Sequence, residues 1–331
     1  MSITENKYSV SVVIPAYNIG DFIARAINSV LAQTHPPDEI IVVDDGSTDN
    51  TGEVVKGFGE KVIYIHQQNG GLSAARNTAM RASTCKWISF LDGDDEWLEG
   101  YLEAQIGLLR RNPDLMWSTG NYLRCLCDED RRQVVVDTAT VKQILGGKDY
   151  FDDYLYAFRR GVGGCVNTMI VRADVFEQTG LFLEGLKRAE DLDMWLRICC
   201  HHPQIGFVVE PLSVYHLVRE DCLSQQYTPV GLYCDLIDRR LEYAKKHERL
   251  DKFAPVASWM LQRWMRSFLF DARGEDVRIM LQKFGDIIPS WYKILMLTVT
   301  VFPKATATGC HLISKVVRAL RLRKRLTRKP K

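Results

Sequence analysis

The chain has 331 residues, of which 46% are hydrophobic and 25% charged, a composition that is typical of a globular protein and excludes a disordered one. Eleven of its 43 Lys and Arg residues follow Asp286 and no acidic residue does, so residues 1–286 hold 32 basic against 41 acidic side chains, a net charge of −9. The nine cysteines are odd in number and lack zinc-finger spacing, which argues against a disulfide framework and favours a reducing compartment.

The first 95 residues alternate strand and helix patterns. Continuous apolar runs, typical of strands covered on both faces, are separated by amphipathic helical stripes. The predicted strands are 10–15, 39–45, 61–66 and 86–91, and the predicted helices are 21–32, 72–82 and one between them capped by Asp49 or Asn50. This order predicts a parallel sheet with right-handed crossovers.

Beyond residue 97 the pattern loosens. The predicted helices are 98–111, 173–179 and 190–200, and the predicted strands are irregular ones within 115–137 and shorter ones at 168–172, 206–209 and 212–217. We expect residues 146–164 to form loops that set substrate specificity. From Val230 the chain is predicted to be helical to its end. The sequence therefore predicts an α/β domain over residues 1–228 and a helical region over residues 229–331.

Polar clusters follow three of the predicted strands. The first strand ends in PAYN at 15–18, the second in DDGSTD at 44–49, and the fourth in DGDD at 92–95. Wound parallel sheets bind ligands beyond the carboxyl ends of their strands. Three clusters on one edge favour a binding site over the ordinary polarity of strand ends.

The DGDD cluster concentrates negative charge. Asp92, Asp94, Asp95 and Glu96 fall within five residues, and their carboxylates repel one another unless a cation lies among them. Mg²⁺ and Mn²⁺ prefer oxygen ligands, and Mg²⁺ is usually held by one or two carboxylates together with substrate phosphates. Asp92 and Asp94 are therefore the predicted ligands of a divalent cation, and Gly93 is expected to allow a tight turn between them.

Six motifs follow one another along residues 10–224. They read VSVVIPAYN, INSVLAQT, EIIVVDDGSTDNT, NGGLSAARNTAM, WISFLDGDDEW and AEDLDMWLR. Together they resemble the ordered motifs of glycosyltransferase family 2. The resemblance implies an inverting, nucleotide-sugar-dependent transferase of the GT-A fold, a Rossmann-like, mostly parallel sheet flanked by helices, here with a helical C-terminal extension. It also divides the α/β domain into a nucleotide-sugar half, 1–97, and an acceptor half, 98–228.

The same resemblance implies which residues bind the donor. Tyr17 would stack on the base, most often uracil in this family, and Asp45 would accept a hydrogen bond from it. Asp94, beside Asp92, would hold Mn²⁺ or Mg²⁺, which stabilises the leaving diphosphate. The implied donor-binding residues are Pro15, Ala16, Tyr17, Asp44, Asp45, Arg76, Asp92, Gly93 and Arg219.

Inversion also needs a base that takes the proton of the acceptor hydroxyl. The resemblance places it in the pair Glu190-Asp191, with Asp191 as the base and Glu190 binding the acceptor or orienting Asp191. The pair is equally typical of an acidic helix N-terminus, and both interpretations can hold together. Trp97 and Trp195 are either sugar contacts or core residues.

The segment VYHLVREDCLS at 214–224 departs from the family pattern. Relatives carry a histidine or arginine there that meets the metal or the diphosphate, whereas here the histidine is displaced to His216 and an extra residue precedes Ser224. His216 or Arg219 is expected to take this role. The departure leaves a second hypothesis, a nucleotide-sugar-binding assembly partner without turnover. A dinucleotide oxidoreductase is excluded because no G-x-G-x-x-G follows the first strand.

The basic C-terminal tail indicates a partner of its own. Residues 294–302 are apolar but too few for a bilayer, which needs about 20. Residues 311–326 predict an amphipathic helix with a basic face, typical of a membrane interface, or of packing on the acidic body. Because no apolar leader opens the chain, we expect a cytoplasmic protein, peripheral on the inner membrane face, with a saccharide or lipid-linked acceptor. Nucleic acid is not expected, since the tail lacks stacking aromatics.

Overall fold

The structure, a computed structural model, describes residues 7–126, 131–186, 188–217 and 228–301, together with Thr308. The chain divides into two compact units, residues 1–227 and 228–331. The larger unit contains the strands, and the described part of the smaller unit is helical.

The larger unit is built on an eight-stranded sheet. Its strands are β1 (Val10–Ala16), β2 (Glu39–Asp44), β3 (Ile63–His66), β4 (Trp87–Phe90), β6 (Trp117–Gly120), β9 (Tyr150–Phe151), β10 (Ile170–Arg172) and β11 (Ile205–Val208). Their order is β3-β2-β1-β4-β10-β6-β11-β9. The first four strands along the chain pair in parallel, as predicted, and β10 joins the sheet antiparallel between β4 and β6.

A second, four-stranded sheet lies beside the DGDD motif. Its strands are β5 (Glu96–Trp97), β7 (Leu123–Leu126), β8 (Arg131–Val134) and β12 (Ser213–His216), in the order β5-β12-β7-β8. Because β4 belongs to the large sheet and β5 to the small one, residues 91–95 form the connection between the two sheets. Strand β5 was not predicted, because two residues, one of them acidic, are too few to give a strand pattern.

Eight helices of the larger unit cover its sheets. They are α1 (Gly20–Leu31), α2 (Thr51–Lys56), α3 (Leu72–Ala82), α4 (Tyr101–Arg111), α5 (Thr138–Leu145), α6 (Tyr154–Arg159), α7 (Val175–Thr179) and α8 (Glu190–His201). The predicted stripe of α1 is buried through Ile23, Ala26, Ile27 and Val30 in a core shared with β1 and β2. Burying each of the larger aliphatic side chains contributes about 1.5–3 kcal/mol, so this core holds the strand ends in place.

The smaller unit contains four described helices: α9 (Val230–Lys246), α10 (Leu250–Phe270), α11 (Gly274–Phe284) and α12 (Ser290–Val299). Within the described residues, none of the helices has the length and apolar character needed to cross a membrane. The amphipathic helix predicted at 311–326 lies outside the described residues.

Two local predictions were wrong, and the structure decides between the two residues that were predicted to cap α2. Helix α4 begins at Tyr101 instead of residue 98, because Gly100 adopts a left-handed conformation with φ of 85°. The side chain of Asn50 makes no capping bond to α2, whereas Asp49 accepts from the Thr51 N–H at 2.9 Å. Residues 146–164 are not simply loops, since they contain β9 and α6.

Candidate active site

The loops that follow β1 and β2 are tied together at the edge of the large sheet. Asn18 has a positive φ of 49°, a conformation that asparagine tolerates better than most residues. Its N–H donates to Ser47 Oγ at 3.0 Å, and its Oδ1 accepts from the Thr48 N–H at 2.8 Å. Tyr17, next to it, is 48% exposed. The first two predicted clusters therefore form one surface with an accessible aromatic ring.

Asp44 is a buried acid with a full set of donors. Its carboxylate accepts from the Ser47 N–H at 2.9 Å and from Tyr64 Oη at 2.8 Å, and His66 Nδ1 lies 3.4 Å away. Burial raises the pKa of Asp44, but these hydrogen bonds outweigh it and the net pKa is lowered. The residue holds the turn after β2 as a stable anion.

Asp45 is also buried, and it organises the loop before α3. Its Oδ1 accepts from Gln67 Nε2 at 2.7 Å and from the Gly70 N–H at 2.9 Å, while its Oδ2 accepts from the Gly71 N–H at 2.8 Å. A carboxylate offers about four acceptor positions, so little capacity is left for a ligand. Direct contact of Asp45 with a base stays a prediction.

Arg76 joins three motifs that are far apart in sequence. Its buried guanidinium donates to Asp92 Oδ1 at 2.6 Å and to Glu190 Oε1 at 2.8 Å. The guanidinium carbon also lies 5.4 Å from the ring centroid of Phe182. Burial lowers the pKa of Arg76, but the two carboxylates raise it further, so the side chain stays charged. The NGGLSAARN helix thus brings the DGDD turn and the Glu190-Asp191 pair to one site.

Asn167 forms hydrogen bonds with two residues of the DGDD turn. Its Oδ1 accepts from the Asp92 N–H at 2.7 Å, and its Nδ2 donates to Asp95 Oδ2. Asp95 is fully buried and also accepts from the His216 N–H at 2.7 Å. Burial raises the pKa of Asp95, and the negative charges of Asp94 and Asp92 raise it further, against the lowering effect of these bonds. The turn therefore has negative charge in excess.

Gly93 lies in a tight turn, as predicted, in which the Asp95 N–H donates to the Asp92 carbonyl at 3.0 Å, but glycine is needed there for space. Its φ lies outside the left-handed region, so the turn needs no special backbone freedom. A Cβ at this position would lie 2.4 Å from Ile19 Cδ1 and 3.0 Å from the Pro15 carbonyl oxygen. The next residue, Asp94, is partly exposed, and its carbonyl accepts from Arg25. The DGDD turn therefore packs closely against the end of β1.

Trp97 and Trp195 are core residues. Both are about 3% exposed. Trp97 Nε1 donates to the Asn167 carbonyl at 2.7 Å, and the Trp195 ring packs against Phe90 and Phe182. The core interpretation of the two tryptophans is the one that their burial favours.

Helix α8 starts with the predicted catalytic pair. The residue before it, Ala189, has a φ of 61°, which is strained for a residue with a Cβ and turns the chain sharply into the helix. Asp191 accepts from the Leu192 N–H at 2.6 Å. Burial and the charge of Glu190 raise the pKa of Asp191 to about 6, although Arg76 lowers it. A carboxylate with this pKa is suited to accept a proton near neutral pH.

The third acid of this helix has a different environment. Asp193 is fully buried and pairs with Arg197 at 3.0 Å. Arg197 also donates to the carbonyls of Thr179 and Leu181, so the pair anchors the segment that leads to α8. Asp191 and Asp193 are therefore two positions apart on one helix but differ in role: Asp191 is the candidate site residue, and Asp193 stabilises the packing of the helix.

His216 lies against the acidic turn, as its position in the motif suggested. Its Nε2 is 3.3 Å from Glu96 Oε1, which also accepts from Arg132 at 3.2 Å. These contacts place His216 next to the DGDD turn without showing a ligand role. Arg219 lies outside the described residues, so its predicted role is untested.

Comparison with known proteins gives the family. Residues 11–175 match the model for glycosyl transferase family 2. The putative teichuronic acid biosynthesis glycosyltransferase TuaG of Bacillus subtilis is 30% identical over 237 residues, which cover 68% of this chain and 85% of that protein. The chain belongs to glycosyl transferase family 2. The uncharacterized glycosyltransferase RP339 of Rickettsia prowazekii is 32% identical over 198 residues, which cover 58% of this chain and 60% of that protein.

Solved structures show that this family 2 chain has the GT-A fold, as predicted. The crystal structure of S. aureus TarS 1–349 in complex with UDP-GlcNAc superposes with a TM-score of 0.69 at 18% identity, over 90% of this chain and 88% of that one. The same protein in complex with UDP gives a TM-score of 0.65 at 17% identity. At this level of identity, the likeness concerns the fold.

The acidic turn of this family 2 chain suits a cation that is shared with a substrate. No group of three or more His, Cys, Asp or Glu side chains within the described residues is arranged to hold a metal alone. Mg²⁺, however, is commonly bound by one or two carboxylates and the oxygens of a phosphate. The carboxylates of Asp92 and Asp94 fit this requirement, since both lie near enough to buried Asp95 for their negative charges to raise its pKa.

Two parts of the site were missed from the sequence. Asn167 supports the DGDD turn but belongs to no recognisable motif. Cys165, nearby, has a thiol whose pKa is raised by burial and by the charge of Asp95, so it is not an activated nucleophile. The available signal was Gly164, where a Cβ would lie 1.8 Å from Thr119 Oγ1 and where φ is 72°. A glycine of this kind indicates that two segments approach each other closely, but the sequence does not show which segment lies against it.

Proposed function

We propose that the protein is an inverting, metal-dependent glycosyltransferase. It moves a sugar from a nucleotide-diphosphate donor, a UDP-sugar by preference, to a hydroxyl of a saccharide or lipid-linked acceptor in polysaccharide or glycoconjugate synthesis. The observation that supports this most is the contact of Arg76 with both Asp92 and Glu190, which brings the acidic turn and the predicted base to one site. The teichuronic acid role printed for TuaG and the UDP-GlcNAc complex of TarS agree with it.

On the donor side, the exposed ring of Tyr17 is available to stack on the base. Arg76 binds one carboxylate oxygen of Asp92, and Asn167 accepts from the Asp92 N–H. The other carboxylate oxygen can therefore accept from a ribose or sugar hydroxyl. Asp94 and Asp92 would hold Mn²⁺ or Mg²⁺, which offsets the charge that develops on the leaving diphosphate. Burial of Asp95 behind them fixes the turn that carries these ligands.

On the acceptor side, Asp191 takes the proton of the attacking hydroxyl. The acceptor oxygen forms a bond to the anomeric carbon, the bond from that carbon to the diphosphate oxygen breaks, and its electron pair leaves with the diphosphate. Glu190 is fixed by Arg76, and its negative charge raises the pKa of Asp191 and so makes it a stronger base. The strained turn at Ala189 sets the direction from which the base meets the acceptor.

The substitution Asp191→Asn tests this assignment. We expect turnover to fall by roughly 10²–10⁴-fold, the usual contribution of a general base. Wild-type turnover should fall about tenfold per pH unit below pH 6, because Asp191 becomes protonated, and the residual activity of the variant should lack this inflection. Sugar transfer from a panel of nucleotide sugars with Mn²⁺ is the measurement. Equal turnover by the two proteins would remove Asp191 from the mechanism.

Binding distinguishes the alternative function. If the wild type turns over no donor in the panel but UDP raises its melting temperature, the protein is a nucleotide-sugar-binding assembly partner. A ligand at 100 times its Kd adds about 2.7 kcal/mol to the free energy of unfolding, which a thermal shift detects. The same shift should be kept in Asp191→Asn, because its amide replaces a group on the acceptor side.

We also propose that the basic tail makes peripheral contact with the inner face of the membrane. Support comes from the eleven Lys and Arg residues that follow Asp286 without an acidic residue among them. Removing residues 288–331 should move the protein from the membrane fraction to the supernatant. An unchanged membrane fraction would contradict the contact.

A further inference from the structure

Helix α12 has two sharply different sides. Tyr292, Met296 and Thr300 are buried. On the other side, Trp291 is 66% exposed and Ile294 65% exposed. The remaining exposed apolar residues of this segment are Leu295, Leu297 and Val301. With 3.6 residues per turn, Trp291, Ile294, Leu295 and Leu297 share one side of the helix, which we call the outer face; Val301 lies just past the end of the helix at Val299.

The outer face is unusual for a surface helix. Exposed single hydrophobic residues need no explanation, but a contiguous apolar face does. Five of the thirteen large hydrophobic residues that are exposed in the described part of the chain fall within residues 291–301. The one charged residue of this stretch, Lys293, lies on the side of the buried residues. A normal amphipathic helix places its charges outward, and α12 does the reverse.

The buried side shows that α12 is firmly held within the smaller unit. Tyr292 Oη donates to the Gln262 carbonyl of α10 at 2.9 Å. Arg278, on α11, donates to the Thr300 carbonyl at 3.0 Å. Because these contacts fix both ends of the helix, the outer face is a stable feature of the surface and is not the displaced core of an unfolded segment.

The charge of the sequence around the outer face identifies its partner. Residues 287–331 contain eleven basic residues and no acidic one. An apolar helix face that is followed in the sequence by many basic residues is what an anionic lipid interface binds. A second copy of the chain would bring two such basic segments together, and their repulsion opposes a dimer through this face.

We propose that the outer face of α12 inserts into the interfacial layer of an anionic bilayer, while the basic sequence that follows binds the headgroups. At ten residues the helix is about 15 Å long, so it lies in the plane of the membrane and does not cross it. Trp291 is suited to this depth, because tryptophan is enriched where the hydrocarbon meets the headgroups.

Co-sedimentation of the full chain with vesicles tests the proposal. We expect binding to vesicles of phosphatidylcholine with phosphatidylglycerol, and at least about tenfold weaker binding to phosphatidylcholine alone. The double variant Ile294→Thr/Leu297→Thr should bind the anionic vesicles at least about tenfold more weakly than the wild type, since it removes two large apolar side chains. Both residues are exposed, so the fold should tolerate the change.

The matched control is Ile63→Thr. Ile63 lies on β3 in the larger unit and is 45% exposed, as is Leu297, so the control makes one comparable change in surface polarity elsewhere, against two in the α12 variant. This variant should bind vesicles as the wild type does. Equal binding by the α12 variant and the wild type would overturn the proposal, because the basic sequence would then act without the outer face.

Two further measurements separate the other possible occupants. Lipids brominated near the headgroup should quench part of the wild-type tryptophan fluorescence, and Trp291→Phe should abolish that quenching while vesicle binding persists. If size-exclusion chromatography instead shows a wild-type dimer that Ile294→Thr/Leu297→Thr converts to a monomer, the face binds a second copy and the proposal fails. None of these readouts requires sugar transfer. The proposal rests on the membrane contact proposed above for the basic tail, and that contact would still stand if only the outer face failed to contribute.

Discussion

Two acidic clusters at strand ends look alike in sequence but differ in how the protein stabilises their negative charge. At the end of β2, Asp44 and Asp45 are buried and accept hydrogen bonds from side chains and backbone N–H groups around them. Between β4 and β5, the carboxylates of Asp92 and Asp94 add to the burial that raises the pKa of Asp95. In the first cluster the carboxylates are satisfied by hydrogen bonds within the protein, whereas the second brings three carboxylates close together.

This difference separates acids that the protein stabilises as anions from acids whose charged form it disfavours. A lowered pKa, as at Asp44, means that the protein itself stabilises the anion. A raised pKa, as at Asp95 and Asp191, means that a proton or a cation would relieve the site. A bound metal and the proton of an acceptor hydroxyl are the two positive charges that the proposed reaction supplies.

The largest expected effect comes from Arg76, the buried cation of the second cluster. Arg76→Ala should lower the free energy of unfolding by about 3–5 kcal/mol, because it leaves Asp92 and Glu190 without their shared partner. Urea unfolding measures this loss. The control is Arg172→Ala, which removes an exposed pair with Asp174 and should cost no more than about 1 kcal/mol. Similar losses in the two variants would mean that the buried contacts of Arg76 do not organise the site.

A second prediction concerns Asp94, which we expect to act on turnover and not on folding. Asp94→Asn should lower sugar transfer at least about 100-fold and raise the Mn²⁺ concentration that half-saturates the rate, because one charged metal ligand is lost. The free energy of unfolding should change by no more than about 0.5 kcal/mol, as at a partly exposed position. Activity measured across a Mn²⁺ titration gives the result. An unchanged Mn²⁺ dependence would place the cation elsewhere or nowhere.

The parallel part of the large sheet, β1 to β4, could be predicted because its signals are local. The apolar run of β1 and the amphipathic stripe of α1 each specify an element, and parallel strand order follows from their alternation. The edge that gathers the acidic motifs follows from that order alone. Nothing in this inference needs a contact between distant side chains.

The support of the site could not be predicted, because it depends on contacts across the chain. Asn167 and Asp92 are 75 positions apart, and Arg76 and Glu190 are 114 apart. No local pattern encodes such pairs, although the family resemblance correctly indicated that their motifs belong to one series. Gly93 shows the same limit, since its need for space depends on Ile19 and Pro15, which only the fold brings near.

The last and smallest predicted effect uses Asp44 to test whether the two clusters really differ. Asp44→Asn should lower the free energy of unfolding at pH 7 by about 1.5–3 kcal/mol, the usual value of hydrogen bonds to a charged group, with a much smaller effect on turnover than Asp94→Asn. Urea unfolding at several pH values is the measurement. A loss of turnover as large as that of Asp94→Asn, without loss of stability, would make Asp44 a ligand-binding residue.

The pH dependence of stability distinguishes an acid whose pKa is lowered on folding, Asp44, from one whose pKa is raised on folding, Asp191. The pKa of Asp44 is lowered on folding from 3.8, so its contribution is present above that value and is lost only as the pH falls through the folded pKa. The deficit of Asp44→Asn should therefore be constant between about pH 5 and 8. The pKa of Asp191 is raised on folding from 3.8 to about 6, so its neutral form stabilises the fold at low pH and that contribution is lost as the pH rises through 6. Asp191→Asn should therefore gain stability relative to the wild type across this window, and matching pH slopes for the two variants would contradict the distinction.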